Sequence, residues 1–197
     1  MNNTSQNSNK LVKIALLGAI AALLMLIEIP IIPAYPWLKM DLGDLPVLMG
    51  AFAYGPLAGA IIELIKIVVN TLLSGTYSGF VGEFGNYIFG IALVMPAAFI
   101  YHRNKSKKTA VIGMLVGSVL MEIAAIIINI TVLIPLYGMH FNMAENFAYA
   151  TMGLLPFNTI KCILVCTLTF VLYKRLSVSV FKVEHGFNNY KEVSKEV

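Results

Sequence analysis

Three polar side chains bring amide and ammonium chemistry into apolar runs of the sequence. Asn129 lies in the run 109–136, and Asn158 and Lys161 lie in the run 146–173. Asn158 and Lys161 are three residues apart, so they share one helix face. Asn129 lies seven residues before the end of its run, about 10 Å deep at 1.5 Å per residue. Such groups suit a polar small molecule with carbonyls and hydroxyls, although Asn also commonly bonds one membrane helix to another.

A second set of polar residues is ionisable. Glu63, Lys66 and Asn70 are spaced to share one helix face, and Glu122 lies near the middle of a later apolar run. Ionisable groups at membrane depth are costly and are functional candidates by default. Glu63 and Lys66 can form a structural ion pair. For Glu122 three alternatives remain open: a protonated carboxyl, a pair with Lys66, or part of a proton relay.

The composition indicates which class of protein must position these groups. The chain has 197 residues, of which 58% are hydrophobic and only 12% are charged, and its mean hydropathy is +0.80. Soluble domains are about 45–50% apolar and about 25% charged. The composition therefore excludes a soluble enzyme, a disordered tail and a nucleic-acid-binding arm. The length suits about six membrane helices of roughly 20 residues with short loops.

The apolar runs predict an all-α integral membrane protein with six transmembrane helices, one of them short. Gly55-Pro56 divides one long apolar run, since Gly-Pro marks a turn. We predict a polar N-terminus at 1–10, a transmembrane substrate-binding domain at 11–175 and a polar tail at 176–197. The six predicted helices cover residues 11–29, 45–54, 56–73, 80–102, 109–136 and 146–173.

The positions of the basic residues predict the orientation in the membrane. Eleven of the 14 Lys and Arg residues lie near the N-terminus, in the loop 103–108 or in the tail. Lys and Arg concentrate on the cytoplasmic side of membrane proteins. Six crossings place all three basic segments on that side, and Lys39 becomes the only such residue in the outer loops. We therefore expect a multi-pass protein of the bacterial cell membrane, embedded in the lipid bilayer, with both termini cytoplasmic and no nucleic-acid partner.

Other motifs point to packing and to a cover for a cavity, and none points to catalysis. Ala15 and Ala19, four residues apart, allow another helix to approach closely. The loop at 30–46 contains Trp37, which suits either a cavity cover or an interface anchor. We find no phosphate-binding loop, no metal-ligand pattern and no nucleophile with a base. We thus predict no catalytic residues, no metal and no cofactor of its own.

Several stretches carry a family resemblance that covers about residues 10–175. They are Leu38-Lys39-Met40-Asp41-Leu42-Gly43-Asp44-Leu45-Pro46, Gly55-Pro56 before the helix of Glu63 and Lys66, Asn129 with Pro135 and Tyr137, and Gly153-Leu154-Leu155-Pro156-Phe157-Asn158-Thr159-Ile160-Lys161. With these stretches the chain resembles the riboflavin-specific substrate-binding components of energy-coupling-factor (ECF) vitamin transporters. The resemblance implies six membrane helices and high-affinity capture of riboflavin from outside.

The resemblance also implies roles for single residues. Asn129, Asn158 and Lys161 match binding positions, and the segment Leu38, Lys39, Met40 and Asp41 matches the part of the loop that covers the flavin. Ala15 and Ala19 match the motif that docks on a transmembrane coupling protein, the T component, which joins two cytoplasmic ATPases that use ATP.

The sequence leaves four alternatives open. A lone charged lysine leaves room for FMN, and another vitamin is a further candidate ligand. A small integral-membrane enzyme using Glu122, Glu63 or Lys66 and a structural subunit without a ligand are the candidates from other classes.

Overall fold

The computed structural model describes the backbone of residues 3–179 and the side chains of residues 8–173. Within this range the fold is a helical bundle with one short antiparallel hairpin. The principal helices are α1 (Asn3–Met25), α2 (Asp44–Tyr54), α3 (Pro56–Ser74), α4 (Val81–Arg103), α5 (Lys107–Ile128) and α8 (Leu155–Ser179). Two very short helices complete the set, α6 (Ile134–Leu136) and α7 (Met143–Ala148).

The segment between α1 and α2 forms the hairpin. Its strands are β1 (Ile29–Pro30) and β2 (Lys39–Met40), with Ile29 opposite Met40. Helix α1 ends at Met25, four residues before the predicted end, because Ile29 and Pro30 belong to the strand. The hairpin returns the chain to the bundle just before α2 begins at Asp44.

The predicted break after α2 is confirmed. Gly55 has φ 105°, a backbone conformation that residues with a side chain rarely adopt. Pro56 occupies the first turn of α3. Helix α2 is short and almost wholly buried, packed against α1, α3, α4 and α8. Neighbouring helices therefore cover the whole of this short element, as a membrane requires of a short apolar segment.

Both of the last long helical segments contain a π-helical turn. Helix α5 continues into π1 (Asn129–Leu133) and then α6, and α7 continues through π2 (Tyr149–Leu154) into α8. π-Helical turns occur mostly as single insertions in α-helices, often at functional sites. The two turns begin at Asn129 and Tyr149, whose side chains are both buried.

Helices α4 and α5 pack closely along a stripe of small residues. A Cβ atom on Gly113 would lie 2.5 Å from the Ala97 carbonyl oxygen, and one on Gly117 would lie 2.2 Å from that of Leu93. These distances leave no room for a side chain on either glycine. The pair forms a Gly-x-x-x-Gly motif, which in membranes brings helix backbones together.

Five described segments are long and apolar enough to cross a membrane, and α2 is a sixth, shorter apolar helix. The predicted helices are thus all present. The boundaries differ at α1, which begins at Asn3, and before the last span, where α7 occupies part of the predicted polar loop. The first four residues of the predicted tail, 176–179, continue helix α8, and residues from 180 onward lie outside the described residues.

Candidate functional site

A cavity of about 120 Å³ lies at the end of the bundle near the hairpin. The outer loop contributes Trp37, Leu38 and Lys39 to its wall. The wall also contains all three polar residues that the sequence predicted to converge, Asn129, Asn158 and Lys161. Its remaining lining residues are Asp44, Gly82, Asn86, Phe89, Met121, Ala125, Leu133, Tyr137, Tyr149, Leu154 and Phe157.

Lys161 is held by two buried carboxylates. Its Nζ lies 3.0 Å from Asp41 Oδ2 and 2.8 Å from Asp44 Oδ2, and all three side chains are nearly inaccessible to solvent. An ammonium has three N–H donors, so two go to these carboxylates. The expectation of a lone charged lysine is therefore wrong: α8 carries a neutralised ammonium with one N–H left to offer.

Asn129 is linked to the outer loop through a tyrosine. The Tyr149 hydroxyl donates to Asn129 Oδ1 at 3.2 Å, and Trp37 Nε1 donates to the same hydroxyl at 3.2 Å. Asn129 Nδ2 donates to the Ala125 carbonyl oxygen at 2.8 Å. These bonds fix the amide in one orientation and leave one of its N–H groups for a further partner.

Asn158 presents an unsatisfied amide to the cavity. It is buried, yet Nδ2 has no hydrogen-bond partner among the described residues. The Glu122 carboxyl on α5 interacts with it electrostatically but lacks hydrogen-bond geometry. A buried unpaired donor is costly. The amide therefore has a donor available for a ligand acceptor.

The four residues of the loop segment 38–41 occupy different positions relative to the cavity. Leu38 and Lys39 line the cavity, while Asp41 reaches the site only through Lys161. Met40 pairs with Ile29 in the hairpin and is not among the cavity-lining residues. The Lys39 ammonium forms an ion pair, with its Nζ 2.9 Å from Glu28 Oε2. The structure thus brings three of the four predicted loop residues to the site or to Lys161, and Met40 stays in the hairpin.

A second cavity, of about 540 Å³, lies next to the first one. The two cavities share Trp37, Lys39, Gly82, Asn86 and Tyr137, so these residues form the partition between them. Burial raises the pKa of Tyr137. The wider cavity also contains Glu28 and Tyr77.

The predicted pairing of Glu63 with Lys66 is confirmed, with Nζ to Oε1 at 2.7 Å. Lys66 also pairs with Asp44, which therefore bridges Lys66 and Lys161. The suggested pair of Lys66 with Glu122 does not form; Lys66 is taken by Asp44 and Glu63.

Ala15 and Ala19 lie on the outer surface of α1, Ala15 exposed and Ala19 half-buried. The neighbouring small residue Gly18 instead packs against Ile65 of α3. On α1, therefore, Gly18 and Ala22 face the bundle, whereas Ala15 and Ala19 lie on the opposite side.

Sequence reasoning did not identify Tyr149 or most of the apolar residues that line the cavity. Tyr149 lies inside the predicted helix 146–173, but it begins a π-helical turn (Tyr149–Leu154), so its contact with Asn129 cannot be predicted from regular helical spacing. The sequence places Asp44 among the polar residues of the loop over the cavity, but nothing in it predicts the pairing with Lys161.

Comparisons with known proteins agree with this architecture. Residues 9–173 match the family model described as "ECF transporter, substrate-specific component". The chain belongs to this family. Members are substrate-specific parts of a transporter and not enzymes.

Relatives of this S component have names that state a substrate. It is 37% identical to "Riboflavin transporter RibU" of Staphylococcus aureus (strain TCH60), over 87% of this chain and 92% of the relative. It is 34% identical to "Riboflavin transporter FmnP" of Bacillus subtilis (strain 168), over 85% and 91% of the two chains.

A solved structure supports the fold. The structure reported as "Structure and mechanism of the S component of a bacterial ECF transporter" matches with a TM-score of 0.74 and 35% identity. The match covers 87% of this chain and 96% of that one.

Proposed function

We propose that this S component binds riboflavin in the cavity between the outer loop and helices α4, α5 and α8. The observation that carries the proposal is the convergence of Asn129, Asn158 and Lys161 on one cavity wall. The names of the relatives, riboflavin transporters at 37% and 34% identity, support the same ligand.

The chemistry of the wall suits an uncharged flavin. The carbonyls and nitrogens of a flavin ring match one ammonium N–H and two amides, and its ribityl hydroxyls match further polar groups. Because Asp41 and Asp44 already neutralise Lys161, the wall favours a neutral carbonyl over a phosphate. Leaving the Asn158 donor unpaired would penalise a ligand without a matching acceptor.

The aromatic residues of the cover are placed to contact a flat ring. Tyr35, Trp37 and Tyr149 form a cluster with ring centroids 5.0 to 6.2 Å apart. The cavity of about 120 Å³ is smaller than the roughly 300–1,000 Å³ of sites that hold drug-sized ligands. We expect these rings to move outward on binding and to pack on the flavin faces.

In the complete transporter this chain supplies binding, and partner subunits supply energy. A transmembrane coupling protein docks on the Ala15 and Ala19 face of α1, and two cytoplasmic ATPases hydrolyse ATP. The vitamin enters from outside and leaves inside. The basic loop 103–108 lies at the opposite end of the bundle from the hairpin. It supports a cytoplasmic position for that end and for both termini, in the bacterial cell membrane.

The test uses the single tryptophan, Trp37, which lines the cavity. The protein is purified in detergent from flavin-depleted cells and titrated with riboflavin, FMN, thiamine and biotin. We expect saturable quenching of Trp37 fluorescence by riboflavin at the lowest concentration. Asn158→Ala and Lys161→Ala should each weaken binding at least tenfold, since each leaves buried ligand atoms unpaired.

Lys105→Ala is the matched control, because this lysine is exposed in the basic loop. Its riboflavin affinity should equal that of the unaltered chain. Absence of quenching, together with a colourless protein from flavin-replete cells, would refute the riboflavin proposal.

A further inference from the structure

Five charged side chains form a continuous buried chain behind the cavity. Lys161 contacts Asp41 and Asp44, Asp44 contacts Lys66, and Lys66 contacts Glu63. None of the five is more than 5% exposed. Of these residues, Asp44 and Lys161 line the cavity, whereas Glu63 and Lys66 lie behind it on α3.

Asp44 divides its two carboxylate oxygens between the two lysines. Oδ2 faces Lys161 at 2.8 Å, and Oδ1 faces Lys66. A carboxylate held from both sides cannot rotate without breaking one of the pairs. Lys66 therefore fixes the direction from which Asp44 contacts the Lys161 ammonium.

The direction of Lys161 decides what the cavity offers. Two of its three N–H donors are committed to Asp41 and Asp44, and their positions determine where the third one points. If Lys66 is removed, Asp44 is free to turn toward Lys161. The third N–H then changes direction although no residue of the cavity wall has been altered.

Glycines lie next to both Glu63 and Lys66. A Cβ atom on Gly90 of α4 would lie 2.2 Å from Glu63 Oε1, and one on Gly43 would lie 2.9 Å from Lys66 Cδ. The pair thus fits its position only because glycine occupies both neighbouring positions. Such close seating keeps Lys66 in one arrangement.

We infer that Lys66, held by Glu63, is a positioning residue for ligand binding, which acts through Asp44 to orient the Lys161 ammonium toward the cavity. The inference rests on the proposed function, because riboflavin is the ligand whose binding reports the orientation.

A double-mutant cycle on riboflavin affinity tests this inference. The chains are the unaltered protein, Lys66→Met, Lys161→Met and the double variant, each measured by quenching of Trp37. We expect Lys66→Met to weaken binding at least tenfold when Lys161 is present, and less than twofold in the Lys161→Met background. Lys105→Met, on the exposed basic loop, is the control and should match the unaltered chain.

A second variant guards against misfolding of Lys66→Met, which leaves Glu63 and Asp44 without their common partner. Lys66→Met combined with Glu63→Gln removes one positive and one negative charge together. It should also bind riboflavin at least tenfold more weakly, while it elutes as a monodisperse peak like the unaltered chain. Normal affinity in this well-folded variant would overturn the inference.

The outcomes separate the inference from the proposed function. Equal losses from Lys66→Met with and without Lys161 would show a general structural role and overturn the inference alone. Failure of the unaltered chain to bind riboflavin would refute the proposed function, and the inference with it.

Discussion

At the scale of single residues, the hydroxyl of Tyr149 joins the outer loop to the cavity wall. It accepts from Trp37 and donates to Asn129, while its ring is 2% exposed. Replacing it by Phe keeps the ring and removes both bonds. Each such bond contributes about 0.5–1.5 kcal/mol net, so we expect Tyr149→Phe to weaken riboflavin binding about tenfold, as measured by titration with fluorescence detection.

The control for this variant is Tyr77→Phe, because that ring is 91% exposed. Its affinity should not change. Equal affinities for Tyr149→Phe and the unaltered chain would mean that the amide of Asn129 is held adequately without this hydroxyl.

Some of the site residues could be predicted from the sequence. Asn129, Asn158 and Lys161 could be predicted because polar groups in apolar helices are rare and their spacing defines a face. The pairing of Lys161 with Asp41 and Asp44 could not, since residues 120 and 117 positions apart meet only after the loop folds back over α8. Tyr149 escaped prediction because no periodic pattern signals a π-helical turn.

At the scale of elements, the contact of α4 with α5 fixes two walls of the cavity relative to each other. Gly113 and Gly117 let α5 rest on the carbonyls of Ala97 and Leu93. An added methyl at Gly117 forces the helices apart, and overpacking of this kind costs about 1–3 kcal/mol. We expect Gly117→Ala to lower the melting temperature in detergent and to weaken riboflavin binding.

Val119→Ile is a suitable control, because it also adds one carbon to α5, at a side chain that is 59% exposed. Its melting temperature should match that of the unaltered protein. A Gly117→Ala protein as stable as this control would show that α4 can shift without loss.

The helices themselves were the easiest part to predict. Long apolar runs and the Gly55-Pro56 break fixed their number, since both signals are local. The hairpin was not predicted: its two-residue strands are too short for an alternating pattern, and pairing across the loop depends on how α1 and α2 pack.

At the scale of the whole molecule, the outer face of α1 is free to contact another protein in the membrane. Helix α1 packs on α2 and α3, and its opposite side carries Ala15 among exposed apolar residues. Small residues allow close approach of a partner helix. We expect Ala15→Leu with Ala19→Leu to abolish vitamin uptake by cells and to leave riboflavin binding by the purified chain intact.

Ala124→Leu provides the comparison, since it makes the same type of substitution at a half-buried position of another helix, α5. Uptake should persist in cells that carry it. Loss of binding along with uptake in the α1 variant, or loss of neither, would contradict a docking role for this face.

Each of the two π-helical turns changes which helix face points toward the site on one side of the turn without changing the face on the other side. One inserted residue turns everything beyond it by about 100°, the rotation per residue of an α-helix. Helix α5 can therefore keep its glycines against α4 while its outer end shows a different face to the loop, and α8 gains the same freedom relative to α7. A one-residue insertion or deletion at Asn129–Leu133 or Tyr149–Leu154 would therefore change which side chains face the vitamin. The helix interfaces that hold the bundle together would stay in register.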